Sequence, residues 1–162
     1  MVADTNYFYA QNISESLTTG VEFSGKYDFV KNDSIELITM VDATYLNTTN
    51  SDGSAVSKYI ANHPVVVVNP RIIAMYKKFR LSVTASYIQR NPFDITSPIG
   101  EAPNEYLVLN ARVSFKPPVF PARIFIEGRN LTDMNYQEIL GAQMPGRWLY
   151  GGFVWRWGEV NL

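Results

Sequence analysis

Apolar and polar residues alternate through most of this chain, and helical periodicity is nearly absent. Successive side chains of an extended strand point to opposite faces, so a period of two dictates β-sheet with one apolar and one polar face. The clearest stretch runs from Glu15 to Phe29. Leu17, Val21, Phe23, Tyr27 and Phe29 fall on one side, while Ser16, Thr18, Gly20, Glu22, Ser24, Lys26 and Asp28 fall on the other. Ile35, Leu37, Val41, Ala43 and Tyr45 line a second segment, with Ile38, Met40 and Leu46 blurring its other face. Ile72, Ala74 and Tyr76 mark a third, and Leu81, Val83, Ala85 and Tyr87 a fourth. Leu107, Leu109, Ala111, Val113 and Phe115 mark a fifth, Ile124 and Ile126 a sixth, and the last runs from about Arg147 to Trp157. The expectation is an all-β chain, a long antiparallel meander of about seven strands.

The connections alternate in length. Short ones fall near Val30–Ser34, Lys77–Arg80 and Pro117–Pro121. Long ones span roughly Thr48–Asn69, Asn91–Asn104 and Thr132–Gly146, and are rich in Gly, Pro, Asn, Ser and Asp. One end of the sheet should therefore carry the tight turns and the other the long loops, as in outer-membrane barrels.

Three features favour lipid on the apolar face. The segments are long, at about 10 residues or more, where soluble strands average about 5–6 and a tilted membrane strand needs about 9–11. The polar face carries mid-strand charge at Glu22, Lys26, Arg112 and Glu127, which suits a wet lumen. Aromatic residues collect toward the short-turn end, at Tyr27, Phe29, Tyr76, Phe79, Phe115, Phe153, Trp155 and Trp157; rings prefer the headgroup level. A soluble antiparallel sandwich with one solvated face, acting as a binding module, is the main alternative. A complete small barrel of structural or adhesive role is another.

Composition narrows the function. The 162 residues are 46% hydrophobic, 18% charged and 14% aromatic, with a net charge of -1 that supplies no overall field for nucleic acid. No window approaches 18 apolar residues, which excludes a transmembrane helix. There are no cysteines, so disulfides and thiolate metal sites are excluded. His63 is the sole histidine and reads as a solvated loop residue. No Gly-x-Ser-x-Gly elbow or glycine-rich phosphate loop is present, so no enzymatic activity, cofactor or metal is expected.

The C-terminal third is the most specific part. It reads Ile124-Phe-Ile-Glu-Gly-Arg-Asn-Leu-Thr-Asp-Met-Asn-Tyr136, then Gln143-Met-Pro-Gly-Arg-Trp148, then Gly151-Gly-Phe-Val-Trp-Arg-Trp157. This resembles the end of a TonB-dependent outer-membrane receptor. In that family a strand runs into Asn-Leu-x-Asp-x-x-Tyr, followed by a loop, a Gly-Arg step and a closing aromatic strand. The matching positions are Asn130, Leu131, Asp133, Tyr136, Gly146 and Arg147. The stretch from Asn12 to Glu22 also resembles an internal barrel strand of the family.

The resemblance implies residues 1–157 as the C-terminal segment of a barrel of about 22 strands, and 158–162 as a short periplasmic tail. No export signal opens the chain, and the family's plug lies N-terminal to its barrel, so the chain reads as a piece of a longer protein. The implied function is energy-coupled uptake of a bulky, scarce solute, such as a siderophore, cobalamin or a glycan, across the outer membrane of a Gram-negative bacterium. The implied partners are outer-membrane lipid, the barrel-assembly machinery through the aromatic terminal strand, the TonB complex through the N-terminal part, and the solute. The motif residues are expected to be structural. Asn130 and Asp133 should bond nearby backbone, Gly146 should permit a tight approach to the last strand, and Arg147 should pair with Glu127 or Glu138.

Overall fold

The computed structural model describes residues 16–32, 34–50, 63–90, 103–139 and 141–155. They form nine strands and no helix: β1 (Ser16–Lys31), β2 (Ile35–Asn50), β3 (Pro64–Tyr76), β4 (Phe79–Arg90), β5 (Glu105–Phe115), β6 (Ala122–Arg129), β7 (Gln137–Ile139), β8 (Ala142–Gln143) and β9 (Trp148–Trp155). Seven of them make one antiparallel sheet in the order β1-β2-β3-β4-β5-β6-β9, and β7 and β8 pair as a separate ribbon. The sheet is a meander of neighbouring hairpins. It is open, with β1 and β9 as its edges and no pairing between them.

The expected seven strands are thus all present, and several run further than the alternation suggested. β1 continues past Phe29 to Lys31 across a bulge between Asp28 and Val30. β3 begins at Pro64, inside what reads as a loop. Its pairing with β4 skips Asn69 and Pro70. Pro70 has no N–H for a ladder, and Asn69 Oδ1 instead accepts from Ser86 Oγ at 2.7 Å. The ribbon β7–β8 lies inside the third long connection.

The turns separate by length. At one end, the Oδ1 of Asn32 accepts bonds from the backbone N–H groups of Ser34 (3.0 Å) and Ile35 (2.8 Å), closing the β1–β2 hairpin. Lys77, with φ of 53°, and Lys78 join β3 to β4. Residues 116–121, with prolines at 117, 118 and 121, join β5 to β6. The strand ends that lead into the long connections all lie at the other end; two of those connections include 51–62 and 91–102, outside the described residues. Trp157, Arg156 and the 158–162 tail are outside them too.

The seven-stranded sheet is a single layer, joined on its polar face by the 130–147 connection at the long-loop end. Among the described residues no second sheet packs on its apolar face, and none of the side chains is fully buried. The small apolar core, Tyr106, Val108 and Tyr136, sits at the long-loop end, with Ile88, Met134 and Met144 against it.

Candidate functional site: an uncovered apolar face and a C-terminal knot

Directly paired residues point to the same face, so the strand register assembles the apolar face row by row. The first complete row, nearest the short turns, is Ile35, Tyr76, Phe79, Phe115, Ile124 and Phe153, each the cross-strand partner of the next. The second is Leu37, Ala74, Leu81, Val113, Ile126 and Gly151. The third is Thr39, Ile72, Val83, Ala111, Gly128 and Leu149. Further rows carry Val41, Pro70, Ala85 and Leu109, then Ala43, Val68, Tyr87 and Leu107. The first charge on this face is Glu105, opposite Gln89. The face is open to its surroundings: Ile72 is 45% exposed, Ile126 66% and Phe153 70%.

The ten residue steps from Phe79 to Gln89 along β4 rise about 34 Å. At a strand tilt of about 40° that is about 26 Å from the first row to the charged row, and the five uncharged rows themselves span about 21 Å, against an apolar height of about 25 Å in outer-membrane barrels.

The aromatic residues singled out in the sequence sort by row. Tyr76, Phe79, Phe115 and Phe153 share the first row, where the Phe79 and Phe115 rings lie 4.7 Å apart. Trp155, opposite Ala122, stands one row closer to the turns. Phe29 occupies the β1 bulge, and its ring meets that of Tyr27 edge-on at 4.6 Å. Tyr27 itself pairs with Thr39, two rows further in than the end-of-strand position expected of it. Two tyrosines not singled out there mark the opposite margin: Tyr45, exposed, and Tyr87, whose hydroxyl donates to Glu105 at 3.0 Å. Their place at the far end of the same alternating face was the available signal.

The other face is polar and networked. Glu22, Lys26, Arg112 and Glu127 all lie on it. Glu127 accepts from Arg112 (3.3 Å) and Arg129 (2.8 Å). The Arg112 guanidinium lies 3.7 Å from the Phe125 ring centre, and Arg129 lies over Trp148 and Tyr150. Ile38 and Ile73, both buried, are cross-strand partners here, which explains the blurring at Ile38.

The six motif residues meet in one knot. Asn130 is 2% exposed, with φ of 47°. Its Nδ2 donates to the carbonyls of Met134 (2.8 Å) and Pro145 (3.1 Å), and its Oδ1 accepts from Met134 N (2.9 Å) and Thr132 Oγ1 (3.2 Å). Its own N–H donates to Asn110 Oδ1. An asparagine tolerates the left-handed conformation and fills it with local bonds. Leu131 N donates to Leu109 O at 2.8 Å, which ties the turn to β5. Asp133 Oδ1 accepts from Arg147 N at 2.8 Å, and Asp133 Oδ2 lies 3.8 Å from Arg147 Nη2. Arg147 therefore pairs with Asp133 rather than with Glu127 or Glu138; the two arginines already on Glu127 occupy that carboxylate. A Cβ on Gly146 would come within 3.1 Å of Asp133 Oδ1, so the tight approach there is set by this carboxylate. Tyr136 is buried against Tyr106, ring centres 4.8 Å apart. Burial, and next the negative charge of Glu138, push its phenol above the usual tyrosine range.

His63, half-buried, immediately precedes β3. Among the described residues, no three His, Cys, Asp or Glu side chains converge as a metal site. Compared with known proteins, the chain matches no protein-family model and no curated protein.

Proposed function

We propose that this chain is a membrane-spanning segment of an outer-membrane β-barrel, with lipid on the apolar face and the polar face lining the lumen. The observation that carries the reading is the apolar face: five rows without a charge, uncovered by any described residue, about 21 Å tall, with aromatic residues at both margins. A water-soluble sheet exposes contiguous apolar patches of only a few hundred Å². A soluble sandwich calls for a second packed sheet, and among the described residues none packs on the apolar face.

The finer reading is the C-terminal barrel part of a TonB-dependent receptor that takes up a bulky, scarce solute such as a siderophore, cobalamin or a glycan. It is supported by the motif Asn130, Leu131, Asp133, Tyr136, Gly146 and Arg147, whose members fold into one knot just ahead of the aromatic strand β9. Other strands would then satisfy the open edges of β1 and β9, the barrel-assembly machinery would read β9, and the TonB complex would act through the N-terminal part.

Folding the chain into phospholipid vesicles tests the membrane reading. Insertion gives protease-protected strands and a heat-modifiable gel band; a monodisperse monomer in detergent-free buffer would overturn it. The receptor reading is tested separately by the coding sequence ahead of Met1. An in-frame plug and further strands are expected there, and an export signal joined directly to Met1 would overturn it.

A further inference from the structure

The polar face holds a feature that neither the apolar band nor the C-terminal knot uses. At the short-turn end, residues of β4, β5, β6 and the 116–121 connection surround a concavity of about 810 Å³. Five cations line it, Lys78, Arg80, Arg112, Lys116 and Arg123, and no carboxylate does. Among the described residues, only Arg112 of the five forms an ion pair, with Glu127 on the next strand. Net charge for the whole chain is -1, so this patch is a local concentration of one sign that composition hides.

The register explains how the charges converge. Arg80 stands opposite Ser114, and Arg112 opposite Ser82. The two arginines are thus diagonal neighbours on adjacent strands, with Cα atoms about 7–8 Å apart. Ser82 and Ser114 add hydroxyl donors to the same lining. The proline-rich connection stiffens the rim, because proline fixes φ and limits what must be ordered when a ligand arrives. Four of the five have no ion-pair partner among the described residues, and like charges so gathered repel one another and draw in an anion.

We propose that this concavity binds a phosphate-class oxyanion, carried by a soluble solute or by a lipid headgroup. Guanidinium forks and ammonium groups match the several oxygens and the charge of a phosphate. The proposal does not rest on what covers the apolar face, because the concavity opens on the polar one.

Calorimetric titration of pyrophosphate into the full chain, folded in a neutral maltoside detergent, tests it. Saturable binding that weakens as salt rises is expected, and R80Q/R123Q should weaken it about ten-fold or more. If that variant loses the β-sheet circular-dichroism signal, K78Q/K116Q, outside the strands, makes the same test. K26Q, on β1, should leave binding unchanged. Phosphatidylglycerol that displaces pyrophosphate where phosphatidylcholine does not assigns the site to a headgroup; failure of both to displace it assigns the site to a soluble anion. Absence of saturable binding at millimolar pyrophosphate, or binding indifferent to both double variants, would overturn the proposal.

Discussion

Two lysines at different depths of the apolar face and one glutamate on the polar face separate lipid from water and from a soluble core. Ile72 lies in the third complete row of the apolar face, between Thr39 and Val83, and is 45% exposed. Two row steps separate it from the first row, and three more from the row of Gln89 and Glu105, so it sits near the middle of the band. A lysine on the lipid face of a barrel costs about 2–4 kcal/mol at the midplane and about 0–1 kcal/mol near an interface. Ile72→Lys should therefore destabilise by about 3 kcal/mol, and Ile35→Lys, in the first row, by about 1 kcal/mol or less. Thr84→Glu, at the depth of Ile72 but on the polar face opposite Arg71, should change stability by about 0.5 kcal/mol or less. The assay is equilibrium unfolding in denaturant from phospholipid vesicles, followed by tryptophan fluorescence and read as free energy at constant m. Equal, small costs at Ile72 and Ile35 would mean that the face is in water. Equal, large costs would mean a protein-covered core. Either result refutes the lipid assignment.

The knot and its buried phenol give further expectations. Asn130→Ala removes four side-chain bonds at a buried site and leaves a Cβ residue at a φ of 47°, so it should cost about 3 kcal/mol. Asn130→Gly relieves the backbone but not the bonds, and should melt between the wild type and the alanine variant in a thermal scan. For Tyr136, the folded phenol is raised above its ordinary value of 10.0. The folded chain then holds that proton more tightly than the unfolded chain. The resulting stability is complete below about pH 10 and declines as pH rises through the folded pKa. An alkaline unfolding series should show this decline in the wild type and a flatter profile in Tyr136→Phe.

Much of this architecture was legible because a period of two is a direct record of which face each residue takes. The two faces, the seven main strands and the segregation of short turns follow from it. Four things did not. The strand at Pro64–Asn69 falls inside a connection in the sequence, since Val65 to Val68 shows no alternation and Asn69-Pro70 looks like a breaker; pairing with β2 carries the strand through. The ribbon β7–β8 is too short to show any periodicity, and its register is held in part by Gln137 Oε1 accepting from Gly141 N. The partner of Arg147 is fourteen residues back, at Asp133, and only the folded turn at Asn130 brings them together. The basic concavity was invisible for a similar reason. Its five cations are spread over 78–123, and cross-strand register together with the two short turns that carry Lys78 and Lys116 collects them.

Two tryptophans on opposite faces report whether lipid covers the apolar face. Trp155 lies on the apolar face, opposite Ala122, and Trp148 on the polar face, opposite Arg129. Single-tryptophan variants W148F/W157F and W155F/W157F can be folded into vesicles of brominated phospholipid, whose bromines quench only nearby indoles. A lipid-covered face predicts strong quenching of Trp155 and little of Trp148. Equal quenching of the two, or an unquenched Trp155 in a folded chain, would contradict it.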